Sequence, residues 1–223
     1  MCTRTIEKHS EESFSGIENA RQFVAKMERH ANTRFRAFLS EIKKLSIPGD
    51  YLEIGAGAGS LAIMVAKDHP EVNITAIEIS ADMTTIANET IRQNHLESRI
   101  RFITGDIEDP RSIESLGKYD VIYSAYSLHH WKNPVTVIGN LLRLLKDDGA
   151  LIICDLRRIW WLYWIPKDNG FYNSIRAAYT PREIASTVTS LGIRDYRIRI
   201  RPPFFIQNLV LKKNNPSIPA INK

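Results

Sequence analysis

Cysteine is scarce in this chain: Cys2 and Cys154 are the only thiols among 223 residues. One lies in a polar N-terminal stretch and the other in an apolar run. They supply neither a disulfide framework nor zinc-ligand spacing, so no metal is expected and a reducing, cytoplasmic setting is. No uncharged apolar stretch approaches the ~20 residues that span a bilayer. The first fifteen residues carry Glu7, Glu11 and Glu12 and no apolar core, so no signal peptide is expected. Excess charge is also small. The 30 Lys+Arg against 25 Asp+Glu leave a net charge of +5, too modest to establish a nucleic-acid partner. An RNA-modifying enzyme usually adds a basic module, and here there are only Lys212-Lys213 and Lys223, so no nucleic acid is expected. Hydrophobic residues at 43% and charged residues at 25% exclude a disordered or fibrous chain, and the length suits one enlarged domain.

What is present is a repeating texture. Residues 17–46 have helical spacing, with Phe23, Val24, Met27, Phe35, Phe38, Leu39 and Ile42 on roughly one side. Pro48-Gly49-Asp50 reads as the turn that ends this region. Short apolar runs then alternate with amphipathic segments. Strands are predicted at 51–54, 74–77, 100–104, 121–124 and 150–155. Helices are predicted at 61–68, from the cap Ser80 to about 94, and at 135–146, with Asp148-Gly149 as a turn. This alternation implies a parallel sheet covered on both faces. Thr180-Pro181-Arg182-Glu183 has the form of a capping box with proline at the first helical position. Tyr196, Ile198 and Ile200 alternate with Arg197, Arg199 and Arg201, which reads as an edge strand with a solvated polar face. A strand over 204–211 follows closely enough to pair with it antiparallel.

The most informative segment is Leu52-Glu53-Ile54-Gly55-Ala56-Gly57-Ala58-Gly59-Ser60, between a strand and a helix. Alternate glycines allow a tight turn and close approach of a ligand to the backbone. A dinucleotide fingerprint needs G-x-G-x-x-G, and Ser60 stands where its last glycine belongs. Glu53 would repel a pyrophosphate and suit a cation. Both points argue against a nicotinamide-dependent oxidoreductase. Glu78 ends the next strand nineteen residues after Gly59, a distance at which a carboxylate can accept ribose hydroxyls. Asp106 ends the third strand, where it can meet an adenine amino group. Any one of these acids could simply cap a helix. Three at one sheet edge, together with the glycines, point to a ligand.

These residues make the segment from about 50 to 155 resemble the class I S-adenosylmethionine-dependent methyltransferases of the broad methyltransferase-domain type. Glu53, Gly55, Ala56, Gly57 and Gly59 are similar to the family's first motif, which more often has Asp in place of Glu53. Glu78 and Ile79 match the ribose-binding strand end, Met83 the residue that packs on adenine, and Gly105, Asp106 and Ile107 the adenine-binding strand end. Leu145-Lys146-Asp147-Asp148-Gly149-Ala150-Leu151 resembles a later family turn, with Asp at the usual Pro. The resemblance implies S-adenosyl-L-methionine as cofactor and a Rossmann-like α/β fold. That fold has a seven-stranded, mostly parallel sheet with one antiparallel strand near the edge, helices on both faces and an N-terminal helical cap. The chain then divides into a tail and cap (1–48), a methyltransferase domain (49–211) and a disordered tail (212–223).

Methyl transfer from a sulfonium needs alignment and exclusion of water, and needs a base only if the acceptor must lose a proton. In Tyr123-Ser124-Ala125-Tyr126-Ser127-Leu128-His129-His130-Trp131, Ser124 and Ala125 should line the transfer face. His129 and Tyr126 are the catalytic candidates, His129 because imidazole changes charge near neutral pH. The blander reading has His129 and His130 capping the loop against Trp131. The loop lacks the Asn-Pro-Pro-Tyr type of strand end used on planar nitrogens. No cysteine is placed to attack a pyrimidine. Arg29, His30 and Arg34 are candidates for the methionine carboxylate.

An aromatic insert at about 156–179 carries Trp160, Trp161, Tyr172, Arg176 and Tyr179, the candidate substrate residues. Three readings remain open: a wall around a small apolar or aromatic substrate, a membrane-interface patch serving a lipid-like substrate, or ordinary core or a dimer contact. The expected function is a methyltransferase acting on a small molecule, by a monomer or homodimer. A non-catalytic S-adenosylmethionine-binding protein is the reading from another class.

Overall fold

The structure is a computed structural model that describes Arg4 and residues 16–164, 170–202 and 204–213, with backbone alone at 163 and 164. Helices α1 (Ile17–Glu28) and α2 (Ala31–Leu45) lead into a repeating core. The core runs β1 (Gly49–Ile54), α3 (Ser60–Asp68), β2 (Val72–Glu78), α4 (Ala81–Gln93), β3 (Ile100–Thr104), α5 (Pro110–Glu114), β4 (Tyr119–Ala125), α6 (Pro134–Leu144) and β5 (Leu145–Leu156). After the insert come α7 (Gly170–Ala177), α8 (Pro181–Ser190), β6 (Tyr196–Arg201) and β7 (Ile206–Lys212). Single 3-10 turns occupy Leu128–His130 and Trp160–Trp164.

The sheet order is β3-β2-β1-β4-β5-β7-β6. All pairs are parallel except those of β7, which runs antiparallel to both neighbours. The interior strands are continuous apolar runs because helices cover both faces. One face packs Leu52, Ile54, Ile122 and Leu151 against α6 and α8. The other packs Tyr51, Tyr123, Ile152 and Cys154 against α2 and α3 through Phe38, Ile42 and Leu61. Burial there pushes the Cys154 thiol well above its usual range, and the neighbouring Asp155 adds to the effect. The Ser80 hydroxyl caps α4, and Thr180 and Glu183 form the reciprocal capping box of α8.

Several sequence-based boundaries shift. The turn after α2 is made by Ser46 at φ 48, and Gly49 already belongs to β1. There it lies against Asp120, whose Oδ2 accepts the Asp50 N–H at 2.8 Å. Helix α6 stops at Leu144, and β5 starts at Leu145. Leu145 pairs with Tyr119 and Ala150 with Val121, so the Asp148-Gly149 region is a bulge between two paired stretches of one strand. Strand β7 starts at Ile206 and runs through Lys212, the first residue of the segment read as tail; residues 214–223 lie outside the described residues. So does the lead-in, apart from Arg4.

The arginine row of β6 is not merely solvated. Glu41 of α2, 3% exposed, receives Arg197 at 3.3 Å and pairs with Arg201, while Lys44 approaches at 3.2 Å. The alternation of β6 revealed a polar face but not the buried acid opposite it. Glu41→Ala leaves facing cations with no anion between them. It is expected to lower the unfolding free energy by about 3 kcal/mol in urea titration. A loss below about 1 kcal/mol would mean that the exposed ends of the arginines are solvated well enough without it.

Candidate functional site

The strand order reverses between β1 and β4, and the crevice at their carboxyl ends is where open α/β sheets hold ligands. A cavity of about 810 Å³ opens there, roofed by Phe23, Val24 and Met27 of α1. Helix α1 is fixed to α4 by packing of Val24 with Met83 and Ile86, and by the Arg21–Glu89 ion pair at 2.7 Å.

The glycine loop forms one wall. The Gly55 and Ala56 N–H groups donate to the Ile77 carbonyl at 3.0 and 3.2 Å, which turns the chain over the end of β2. Gly55 has φ 67, and a Cβ on it would lie 2.3 Å from Ser127 Oγ, so this position admits only glycine. Gly57 has φ 55 with open space at its Cβ position, and its N–H donates to Glu78 Oε2 at 2.8 Å. The Ser80 N–H donates to Glu78 Oε1 at 2.9 Å, so the Glu78 carboxylate is aimed into the cavity with acceptor capacity left for hydroxyls. Asp106 accepts the Glu108 N–H at 2.8 Å on the next strand end.

Glu53 lies beneath the loop and is 2% exposed. Its Oε2 accepts the Tyr123 hydroxyl at 3.0 Å. Burial raises its carboxyl to about 8; the Tyr123 hydrogen bond opposes this rise and the Glu78 charge adds to it. A buried acid of this kind suits a cationic ligand, whose charge would favour the carboxylate.

The candidate cofactor residues divide. Glu53, Gly55, Ala56, Gly57, Glu78, Ile79, Met83, Gly105, Asp106, Ile107 and Ala125 line the cavity. Gly59 and Ser124 do not. Gly59 caps α3 beneath the Phe102 ring, and the fully buried Ser124 donates its hydroxyl to the Ile54 carbonyl at 2.9 Å. Of the three candidates for the methionine carboxylate, Arg34 lines the cavity and Arg29 and His30 do not.

His129 and Tyr126 both line the opposite wall. Tyr126 sits at φ 58 and donates its hydroxyl to the Arg34 carbonyl at 3.0 Å, while the Arg34 guanidinium covers its ring at 4.5 Å. Burial pushes this phenol up, and its hydroxyl is engaged with the backbone. His129 is different. It is 4% exposed, and its Nδ1 lies 2.7 Å from Oδ1 of Asp155, itself 1% exposed. Its Nε2 has no hydrogen-bond partner among the described residues. An aspartate on Nδ1 fixes the tautomer and puts the lone pair on Nε2, an atom that is itself buried. The sequence reading gave Asp155 no role, although a charge inside the apolar run 150–156 was a visible signal. Arg4, also unforeseen, donates to the His129 carbonyl at 2.6 Å and stacks on the Tyr179 ring at 4.1 Å.

None of the candidate substrate residues lines the cavity. Trp160 and Trp161 are exposed. Tyr172 packs against Leu156 and Ile159, Arg176 donates to the Asn173 amide oxygen at 3.1 Å, and Tyr179 is buried with its hydroxyl on the Trp131 carbonyl at 3.0 Å.

A family model described as "Methyltransferase domain" matches residues 49–190. Demethylmenaquinone methyltransferase of Porphyromonas gingivalis is 26% identical over 172 residues, 66% of this chain and 69% of that protein. The non-reducing polyketide synthase ausA of Emericella nidulans is 32% identical over 116 residues, 49% of this chain but only 5% of the synthase. The chain therefore spans about two thirds of the first of these relatives and a small part of the second. The plantazolicin methyltransferase BpumL, solved in complex with SAH, shares the fold with a TM-score of 0.70 at 20% identity, over 90% of this chain and 92% of that one.

Proposed function

The chain belongs to the methyltransferase-domain family, and on that premise we propose that it binds S-adenosylmethionine and methylates a small, largely apolar or aromatic acceptor that gives up a proton. One observation carries this reading: His129, paired through Nδ1 with the buried Asp155 at 2.7 Å, lines the same cavity as the glycine loop and Glu78. The relatives matched include a demethylmenaquinone methyltransferase and, at 36% identity over 101 residues, a malonyl-[acyl-carrier protein] O-methyltransferase of Priestia megaterium, whose names give different acceptors, so the cavity's own residues must define the choice here.

S-adenosylmethionine supplies a methyl group already activated on a sulfonium. The glycine loop and Glu78 would hold the adenosine half, Glu78 by accepting from the ribose hydroxyls. Glu53, once ionised, would set a negative potential that suits a cationic group in the cavity. Phe23 and Met27 above, with Phe35 and Tyr126 at the side, exclude water and favour an apolar acceptor. His129 Nε2 would hold the proton that the acceptor gives up, and Asp155 would steady the resulting imidazolium. The proton ends on Nε2 and leaves for solvent after product release.

The test is a methyl-transfer screen over metabolite extracts with isotopically labelled cofactor, read by product mass. Methylated product from an apolar fraction supports the reading. Calorimetric binding of S-adenosylhomocysteine without any product would favour a binding protein instead. In the same calorimetry Glu78→Ala is expected to cost about 1–3 kcal/mol, the penalty for hydroxyls left unpaired. Unchanged affinity would remove Glu78 from the site.

A further inference from the structure

The insert's aromatics turn away from the cavity and build an outer surface. Trp160 is 69% exposed, Trp161 51%, Phe171 47% and Phe204 65%. They form one neighbourhood. Phe171 stacks edge-on against Phe205 at 5.3 Å, and Arg157 ties the Trp160 segment to the β6–β7 turn through the Phe204 and Phe205 carbonyls at 2.9 and 2.7 Å. Phe204 stands at φ 71, an unfavourable backbone for a bulky residue, and its N–H is locked onto the Arg201 carbonyl at 2.6 Å. The fold thus spends strain to keep this ring outside. Exposed aromatic surface of this extent marks a contact site.

Charge identifies the occupant. Residues 156–182 and 199–205 carry Arg157, Arg158, Lys167, Arg176, Arg182, Arg199 and Arg201 against the single acid Asp168. Glu183 answers Arg158 and Glu41 answers Arg201, which leaves the exposed Arg182 and Arg199 among the outward-facing cations. A second copy would bring the same positive face, so self-association here is opposed by like charge. We infer that this face docks on an anionic lipid bilayer, with Trp160, Trp161, Phe171 and Phe204 at the headgroup boundary and the arginines toward the phosphates. Tyr126 packs in the apolar cluster beneath the patch and also lines the cavity, so the docked face adjoins the site wall. The inference concerns the outer face and stands whatever the acceptor proves to be.

The experiment is flotation of the full chain with phosphatidylcholine vesicles, with and without phosphatidylglycerol. Binding is expected only with the anionic lipid, weakening as salt rises. Trp160→Ser with Trp161→Ser is expected to lower the partition coefficient about tenfold. Phe171→Ser serves as a second probe should the double variant melt early. Val135→Ser, at an exposed apolar residue on α6, should bind as the parent does. Absence of flotation with anionic vesicles, binding that ignores the tryptophans, or a dimer in sedimentation equilibrium that Trp160→Ser disperses would each overturn the assignment.

Discussion

His129→Ala is expected to lower kcat by about 10²–10⁴-fold, the usual share of a positioned base, while the Kd for S-adenosylhomocysteine changes by less than about twofold. The asymmetry follows from position. His129 lies on the wall opposite Glu78, and its backbone is held independently of the ring by Arg4 on its carbonyl. A purely structural histidine would lower both quantities together. pH gives a second readout. Without the imidazole the acceptor must ionise by itself, so activity of the variant should climb as pH approaches the acceptor's own ionisation. Asp155→Asn should fall between parent and His129→Ala, because an amide can hold the ring but cannot balance the imidazolium. If Asp155→Asn turns over like the parent, the pair is a packing device, and the acceptor needs no base.

The second large effect concerns Glu53. Its carboxyl is carried to about 8 by burial, so near pH 7 the ligand-free chain keeps it mostly protonated. A sulfonium beside it favours the carboxylate. Affinity for S-adenosylmethionine should therefore rise with pH through 8, with release of a proton on binding, visible as buffer-dependent enthalpy in calorimetry. Glu53→Gln should flatten that slope and weaken binding about tenfold at pH 8.5, equivalent to about one unit of pKa coupling. Folding carries the opposite sign. A carboxyl raised above its unfolded value contributes stability that is fully present below about 4.5 and is lost as pH rises through about 8. The ligand-free Glu53→Gln chain should therefore melt higher than the parent at pH 9. Parallel melting curves across pH would show that Glu53 is hydrated in solution.

What the sequence disclosed followed from how local each signal is. Gly55, Gly57 and Glu78 were legible because a strand, a tight turn and a carboxylate at the next strand end have fixed spacings along the chain. The sheet's antiparallel return was legible because Arg197, Arg199 and Arg201 alternate with apolar neighbours and a short connection follows. Pairings across the fold were not. Asp155 lies 26 residues from His129, on a strand whose pattern speaks only of burial. Glu41 reads as one more charge on an amphipathic helix until β6 is laid across it. The tryptophans of the insert left three readings open: a pocket wall, a membrane-interface patch, and core or a dimer contact. Their direction depends on the 3-10 turn at Trp160–Trp164, which no periodicity announces.

Cys154, near the carboxyl end of β5, is 1% exposed, and its backbone carbonyl accepts the Tyr126 N–H at 2.8 Å. Its sulfur is thus a silent witness in the intact fold, chemically reachable only when the strands around it part. In a Cys2→Ser background, the pace at which an alkylating reagent marks this one atom would clock those excursions directly. The slowing of that clock by S-adenosylhomocysteine would weigh the ligand's grip without any turnover being measured.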